Sequence, residues 1–318
     1  MKDRSVGLIL FGALQILLGV AALCGLFAVA AASELQSRGG AGAPPMSALL
    51  PSILLYAVLA FYFFAVGIGS IRKRRWARAL SVVVSAMWLV VGVIAIVVVA
   101  ILMPRITMLF PPSNSGAVAA TMFAFVAIFY IILPLALFLF YRGPNVKATV
   151  DLRDPVNRWT DRVPLPILAL VLVMAFSALS VIGAVSYGVI PLFGTILTGA
   201  PAVIAFVAIA ILCAYLSVQL YRVKRSAWWT LVLLDVIGGA NGAYTLAKTD
   251  LEKLYEQMGI MTPQLRAMHI FEIYRDPRLW AFMAVCWVAM FAYLIWTRRF
   301  FDAPPPRTRA GDAAVIGQ

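Results

Sequence analysis

The sequence predicts an all-α protein, namely a polytopic membrane helical bundle of eight transmembrane helices. We expect these helices to form two tandem parallel four-helix repeats, with both termini on the cytoplasmic side. Three observations predict this fold class. They are a strongly apolar composition, a stretch of residues that occurs twice, and an uneven distribution of Lys and Arg between the two sides of the predicted spans.

The composition is that of a membrane protein. Of the 318 residues, 63% are hydrophobic and only 12% are charged, and the mean hydropathy is +0.96. Soluble domains average about 45–50% apolar and about 25% charged residues. Eight apolar stretches reach the length of about 20 residues that a helix needs to cross the bilayer, and none shows the alternating pattern of a membrane β-strand. They lie near 6–32, 48–70, 78–102, 117–141, 165–187, 201–221, 228–247 and 279–297.

Residues 51–90 reappear without a gap as residues 201–240, at a constant offset of 150 positions. The matched pairs include Pro51 with Pro201, Ala60 with Ala210, Arg72 with Arg222, Arg75 with Arg225 and Ala77 with Ala227. A constant offset over this length is typical of an internal duplication. Each copy contributes four spans, an even number, so the second copy enters from the same side as the first. The copies are therefore predicted to be parallel.

The basic residues predict the orientation. Of the 26 Lys and Arg residues, 19 fall on the side of the termini, of the turns at 72–75 and 222–225 and of the central linker, which leaves 7 for the other side. Positive charge near the ends of spans stays in the cytoplasm. We therefore expect a bacterial-type inner (plasma) membrane protein with both termini cytoplasmic. The net charge of +13 follows from this bias and from anionic lipid, so no nucleic acid partner is expected.

The chain divides into four predicted parts. Residues 1–141 form the first four-span repeat, 142–163 a cytoplasmic linker, 164–299 the second repeat, and 300–318 a flexible cytoplasmic tail. The linker carries Asp151, Asp154 and Asp161 among several arginines, and its prolines argue against one continuous helix. We expect an ordered connector of mixed charge.

The second repeat carries a long extracytoplasmic segment, predicted to be an amphipathic helical hairpin at 249–276. Thr249 and Glu252 have the spacing of a capping box, and Thr262 with Pro263 is typical of a second helix start. Apolar residues then recur at helical spacing along both helices. These candidates for docking a partner are Leu251, Leu254, Tyr255, Met258, Leu265, Met268, Phe271 and Tyr274.

Asp235 lies about ten residues into the seventh span, roughly 15 Å deep and close to the bilayer midplane. A carboxylate there is costly, about 2.5–3.5 kcal/mol, and is a candidate functional group. One interpretation is a protonated acid that couples transport to proton movement. The other is structural, in which Asp235 donates a hydrogen bond to Ser85, its counterpart at the offset of 150. Asn241 and Gln15 are weaker members of the same predicted polar patch.

Groups that would carry chemistry are scarce. His269 is the only histidine and lies three residues before Glu272, a weak candidate for a metal site. The sequence has no His-Glu-x-x-His, Gly-x-Ser-x-Gly, phosphate-binding glycine loop or Cys-x-x-Cys motif. We therefore expect no enzyme activity, no cofactor and no bound metal.

Two functional hypotheses remain open. The leading one is a non-enzymatic, partner-binding or assembly component that contacts the lipid bilayer and another membrane or periplasmic protein through its outer hairpin. It is motivated by the shortage of buried polar residues and by the long second loop. The alternative is a small secondary transporter or proton-linked permease that uses Asp235 at the interface between the repeats.

Overall fold

The computed structural model describes residues 3–38, 46–108, 110–262, 265–266 and 270–302. Within these ranges, eight helices are long and apolar enough to cross a membrane, which confirms the predicted number. The chain is thus a multi-pass, almost entirely helical membrane protein.

The first half of the chain contributes four of these helices. They are α1 (Ser5–Arg38), α2 (Met46–Ile71), α3 (Arg75–Thr107) and a fourth made of α4 (Pro112–Val126), a π-helical turn (Ala127–Ile132) and α5 (Leu133–Arg142). Helices α1 and α2 cross most closely at two glycines. A Cβ atom on Gly12 would lie 2.8 Å from the carbonyl oxygen of Gly67, and the reverse distance is also 2.8 Å. Small residues permit this backbone approach, which is a common means of helix association in lipid.

The linker folds into α6 (Pro144–Arg153) and a 3₁₀ turn (Trp159–Asp161). The helix ends before Asp154 because the following Pro155 disfavours helical geometry in the residue that precedes it. The linker is therefore ordered but does not form one continuous helix.

The second half contains α7 (Leu165–Ala184) with a 3₁₀ turn (Val185–Tyr187), β1 (Val189–Leu192), β2 (Thr195–Thr198), α8 (Ala200–Tyr221), α9 (Arg225–Lys248), α10 (Leu251–Gln257), a 3₁₀ helix (Ile270–Arg275), α11 (Pro277–Thr297) and α12 (Arg299–Asp302). Residues 300–302 were expected in a flexible tail but belong to α12, because Phe301 is buried against the bundle. Residues 303–318 lie outside the described residues.

The antiparallel pair β1–β2 was not predicted. Val189 pairs with Thr198 and Leu192 with Thr195, which leaves a two-residue turn. Both turn residues have positive φ, 46° at Phe193 and 77° at Gly194, as a tight hairpin turn requires. Glycine adopts this conformation freely, whereas phenylalanine is strained in it.

The two basic turns have the same backbone geometry. Lys73 and Val223 both take a left-handed conformation, with φ of 56° and 52°. The same hydrogen bonds close the two turns at the offset of 150 positions: Lys73 N–H to Ser70 O at 2.8 Å and Arg74 N–H to Gly69 O at 2.8 Å, against Val223 N–H to Leu220 O at 2.9 Å and Lys224 N–H to Gln219 O at 3.2 Å.

The main apolar core lies at the end of the bundle that carries these turns, here called the basic end. It joins the two halves of the chain, since Val66 and Ala77 share one cluster with Ile167, Leu216 and Leu231. Helix α11 is anchored there by the indole of Trp228, which donates to the carbonyl oxygen of Leu294 at 2.9 Å. Toward the opposite end, a cavity lies between α9 and α11.

Candidate functional site

The end of the bundle opposite the basic end is covered by a structure that we call the cap, made of the β1–β2 hairpin, α10 and residues 270–275. It has a small core of its own, in which Val189, Leu251 and Leu254 are buried. The rings of Tyr255 and Phe271 pack edge to face against each other, with centroids 4.9 Å apart, and Phe271 also packs against this core. The cap is therefore a packed structure and not a loose loop.

The helix start at the cap differs from the prediction. Asp250, not Thr249, is the N-cap of α10, and its carboxylate accepts the N–H of Lys253 at 3.2 Å. Thr249 instead ends α9. The two alternatives place the start of the helix only one residue apart, and spacing in the sequence alone did not distinguish them.

The apolar docking candidates face inward. Leu251 and Leu254 are buried, and five others are half-buried: Tyr255, Met258, Leu265, Phe271 and Tyr274. Met268 lies outside the described residues. Burial and the nearby phenol of Tyr255 raise the pKa of Tyr274. The described docking candidates are thus buried or half-buried, and most of them pack in the core of the cap.

The exposed side of the cap is charged. Arg266 pairs with Glu252 at 2.9 Å and also with Glu256, and the side chains of all three are about half exposed. A second ion pair joins the cap to the first half of the chain, because Arg105 of α3 contacts Glu272 at 3.1 Å. His269, the other weak metal candidate, lies outside the described residues. Among the residues that are described, no group of three or more His, Cys, Asp or Glu side chains could hold a metal ion.

Asp235 lies midway along α9 and keeps an unusual environment. Its carboxylate oxygen Oδ2 is buried and has no hydrogen-bond partner among the described residues. Ser85 does not provide one, since its hydroxyl donates to the carbonyl oxygens of Ser81 and Val82 on its own helix. The predicted bond between Asp235 and Ser85 is therefore not formed.

Asn241 holds the hairpin. Its Oδ1 atom accepts the N–H of Phe193 at 2.6 Å, so it fixes the strained turn against α9. Gly194 of the same turn lies against the ring of Tyr244. Asn241 is thus a structural contact of the cap, and it is not joined to Gln15 or Asp235 in one polar patch.

Gln15 belongs to a separate buried network in the first half. It donates to Ser81 Oγ at 2.9 Å and accepts from the Tyr141 hydroxyl at 3.0 Å, and Tyr141 contacts Ser70 Oγ at 2.6 Å. All four side chains are at most 2% exposed. Sequence reasoning identified only Gln15, because no local spacing connects residues on four different helices.

The linker binds the first basic turn. The side chain of Asp154 is 2% exposed and accepts two hydrogen bonds from Arg158, at 2.7 and 3.1 Å, and one from the backbone N–H of Arg75 at 3.2 Å. The hydrogen bonds from Arg158 and from this N–H lower the pKa of Asp154. The carboxylate therefore caps α3, since the side chain of the N-cap residue, Arg74, makes no capping hydrogen bond.

No family model, curated protein or solved structure matches the chain. Its function is therefore argued from its own residues, of which the cap and Asp235 are the two features with the clearest functional interpretation.

Proposed function

We propose that this chain is a non-enzymatic inner-membrane protein that binds another membrane or periplasmic protein through its cap. The observation that most strongly supports this proposal is that the cap is long and ordered. Only four residues connect α3 to α4, whereas 28 residues connect α9 to α11, and the described part of this longer segment packs around a core of its own. Connections longer than about 12–15 residues are uncommon in compact domains and are often functional.

The proposed architecture is two parallel four-span copies with both termini cytoplasmic. The matching hydrogen bonds of the two basic turns support it, as does the matching burial of residues at the offset of 150, for example Ala77 and Ala227. The Lys and Arg bias supports a cytoplasmic basic end. In this orientation the cap is extracytoplasmic.

The partner is expected to contact the charged side of the cap. Glu252, Lys253 and Glu256 are exposed on α10, and the apolar side of that helix is already used for packing. Charged surfaces of this kind contribute mainly to the selection and orientation of a partner. The partner should therefore present complementary charges beside the bilayer surface.

Co-purification from native membranes tests this proposal. The wild-type chain should carry one protein at fixed stoichiometry, and the double variant Glu252→Lys, Glu256→Lys should release it without a change in yield or thermal unfolding. Asp3→Lys is the matched control, because Asp3 is exposed at the basic end. A wild-type chain without a protein partner, or a double variant that keeps it, would contradict the proposal.

A second candidate function is proton-linked transport, favoured by the unpaired, buried Oδ2 of Asp235. Carboxyl groups at membrane depth commonly mark ion or proton pathways. In liposomes with an imposed gradient, wild-type protein would move protons, Asp235→Asn would stop the flux, and Ser85→Ala would leave it unchanged. Vesicles in which the wild-type protein moves no protons would exclude this function.

A further inference from the structure

Two cavities adjoin beneath the cap. The first, of about 900 Å³, lies between α3, α9 and α11. The second, of about 1080 Å³, lies between the end of α9, α10 and residues 271–275. Leu246, Tyr274 and Trp280 line both, so the two cavities meet at these three side chains. Their volumes are those of ligand sites.

The first cavity is apolar and opens at membrane depth. Val98 of α3, Gly239 and Gly242 of α9 and Trp287 of α11 line it. Gly242 widens it, because a Cβ atom at this position would meet no atom within 4 Å. Tyr274, from the cap, also lines it, so the cavity extends to the cap.

The second cavity is charged, and its described lining includes three basic and three acidic side chains: Lys248, Arg266, Arg275, Asp250, Glu252 and Glu272. Two of its acids are already neutralised, since Glu252 pairs with Arg266 and Glu272 with Arg105. Lys248 and Arg275 also line it, and neither forms an ion pair with any residue that the structure describes. Asp250 is the remaining acid among the described lining residues, so Lys248 and Arg275 are the two cations with which an anionic group could pair.

The distance between the two environments matches one leaflet. Gly239 and Lys248 are nine residues apart on α9, or roughly 14 Å along the helix axis. Half of the hydrocarbon core is about 15 Å thick. The indole N–H of Trp280 donates to the carbonyl oxygen of Tyr274 at 2.6 Å where the cavities meet, and tryptophan favours this interfacial level.

From these four features we infer that the chain holds one anionic phospholipid of the leaflet on the cap side. An acyl chain fills the apolar cavity between α9 and α11, and the phosphate lies between Lys248 and Arg275. Charge and depth favour this occupant over an uncharged or purely apolar molecule, which would leave Lys248 and Arg275 without an anionic partner. The inference does not depend on the proposed protein partner. Glu252 lines the second cavity and is also on the proposed partner surface, so the lipid site is tested at other residues.

Filling the cavity from within tests the acyl-chain site. Gly242→Leu should place its side chain in the apolar cavity, and native mass spectrometry after detergent washing should then show loss of the phospholipid that the wild-type chain retains. Gly238→Leu is the matched control. A Cβ there also meets no atom within 4 Å, but Gly238 does not line the cavity, so this variant should keep the lipid.

The head-group site is tested in nanodiscs of phosphatidylglycerol mixed with phosphatidylcholine. Wild-type protein should retain phosphatidylglycerol, and the double variant Lys248→Gln, Arg275→Gln should lose about 30-fold of that preference, at roughly a fivefold to sixfold loss for each cation. Gly242→Leu and the double variant must both unfold at the same temperature as the wild-type protein. Equal retention of the two lipids by the wild-type chain, or unchanged retention in Gly242→Leu, would overturn the inference.

Discussion

Replacing Asp154 by Asn should measurably destabilise the bundle, although the residue lies in the linker and outside every span. Its carboxylate is almost fully buried and bridges three partners. Arg158 contributes a bidentate pair, the backbone N–H of Arg75 donates at the start of α3, and Arg74 lies 3.5 Å away. The variant keeps the size of the side chain and one carbonyl oxygen but removes the charge.

The expected magnitude follows from the exposure of these partners. A hydrogen bond to a charged group contributes about 1.5–3 kcal/mol when it is buried. The side chains of Arg158 and Arg74 are 32% and 43% exposed, so water screens most of their contribution. The hydrogen bond from the backbone N–H of Arg75 is partly buried. We therefore expect Asp154→Asn to lower the free energy of unfolding by about 1–3 kcal/mol.

Unfolding by SDS titration in mixed micelles measures this change. The matched control is Asp151→Asn, because Asp151 pairs with Arg75 at 3.0 Å but is 36% exposed, and its loss should be below about 1 kcal/mol. Equal losses in the two variants would show that burial of Asp154 does not determine its contribution. No loss in Asp154→Asn would refute the reasoning altogether.

The same site predicts a pH dependence. The pKa of Asp154 in the folded state lies below its ordinary value of 3.8, so the charged form stabilises the fold. This contribution is fully present above pH 3.8 and is lost as the pH falls through the lower folded-state pKa. The wild-type chain should therefore lose stability below about pH 4, and Asp154→Asn should lack this part of the loss.

Two further predictions concern buried polar contacts. Gln15→Leu should lower the free energy of unfolding by about 1–2 kcal/mol, because it removes the bonds to Ser81 and Tyr141 in an environment without water. SDS titration measures this loss of stability, and an unfolding midpoint equal to that of the wild type would contradict the prediction. Asn241→Ala should speed amide exchange in the hairpin about fivefold through loss of one hydrogen bond to Phe193. Hydrogen exchange of residues 189–198 measures this rate, and equal rates in the variant and the wild type would contradict the prediction.

The helices were predictable because lipid leaves the backbone few alternatives. A long apolar segment must satisfy its own hydrogen bonds, so length and hydropathy suffice to identify it. The sixth predicted span, 201–221, corresponds to Ala200–Tyr221, and the seventh, 228–247, to Arg225–Lys248. The third helix runs five residues beyond its predicted end, to Thr107, because Pro104 and Arg105 continue the helix into the cap end.

The cap was less predictable because tertiary contacts decide its structure. Val189–Leu192 is too short to show an alternating pattern, and a turn with Phe193 at positive φ has no local sequence preference. Helical spacing correctly placed Leu251 and Leu254 on one face, but spacing cannot tell whether a face meets a partner or the protein itself. The cavities required the packing of three helices and were not visible in the sequence.

The two halves of the chain differ most where they are aligned at the offset of 150. Ser70 and Ser81 belong to the hydrogen-bonded network of the first half, and the residues at the same positions of the second half are Leu220 and Leu231, which are equally buried but apolar. Directional bonds fix the helices of the first half relative to one another.

The second half has its restraints at the basic end instead. There, Trp228 bonds to Leu294, and the Tyr293 hydroxyl donates to the carbonyl oxygen of Pro166 at 3.0 Å. Toward the cap, the apolar cavity lies between α9 and α11, and Tyr274 and Trp280 line both this cavity and the charged one. Glu252 of α10 also lines the charged cavity. A partner that contacts α10 and a lipid held between α9 and α11 would therefore act on adjoining surfaces of the second half.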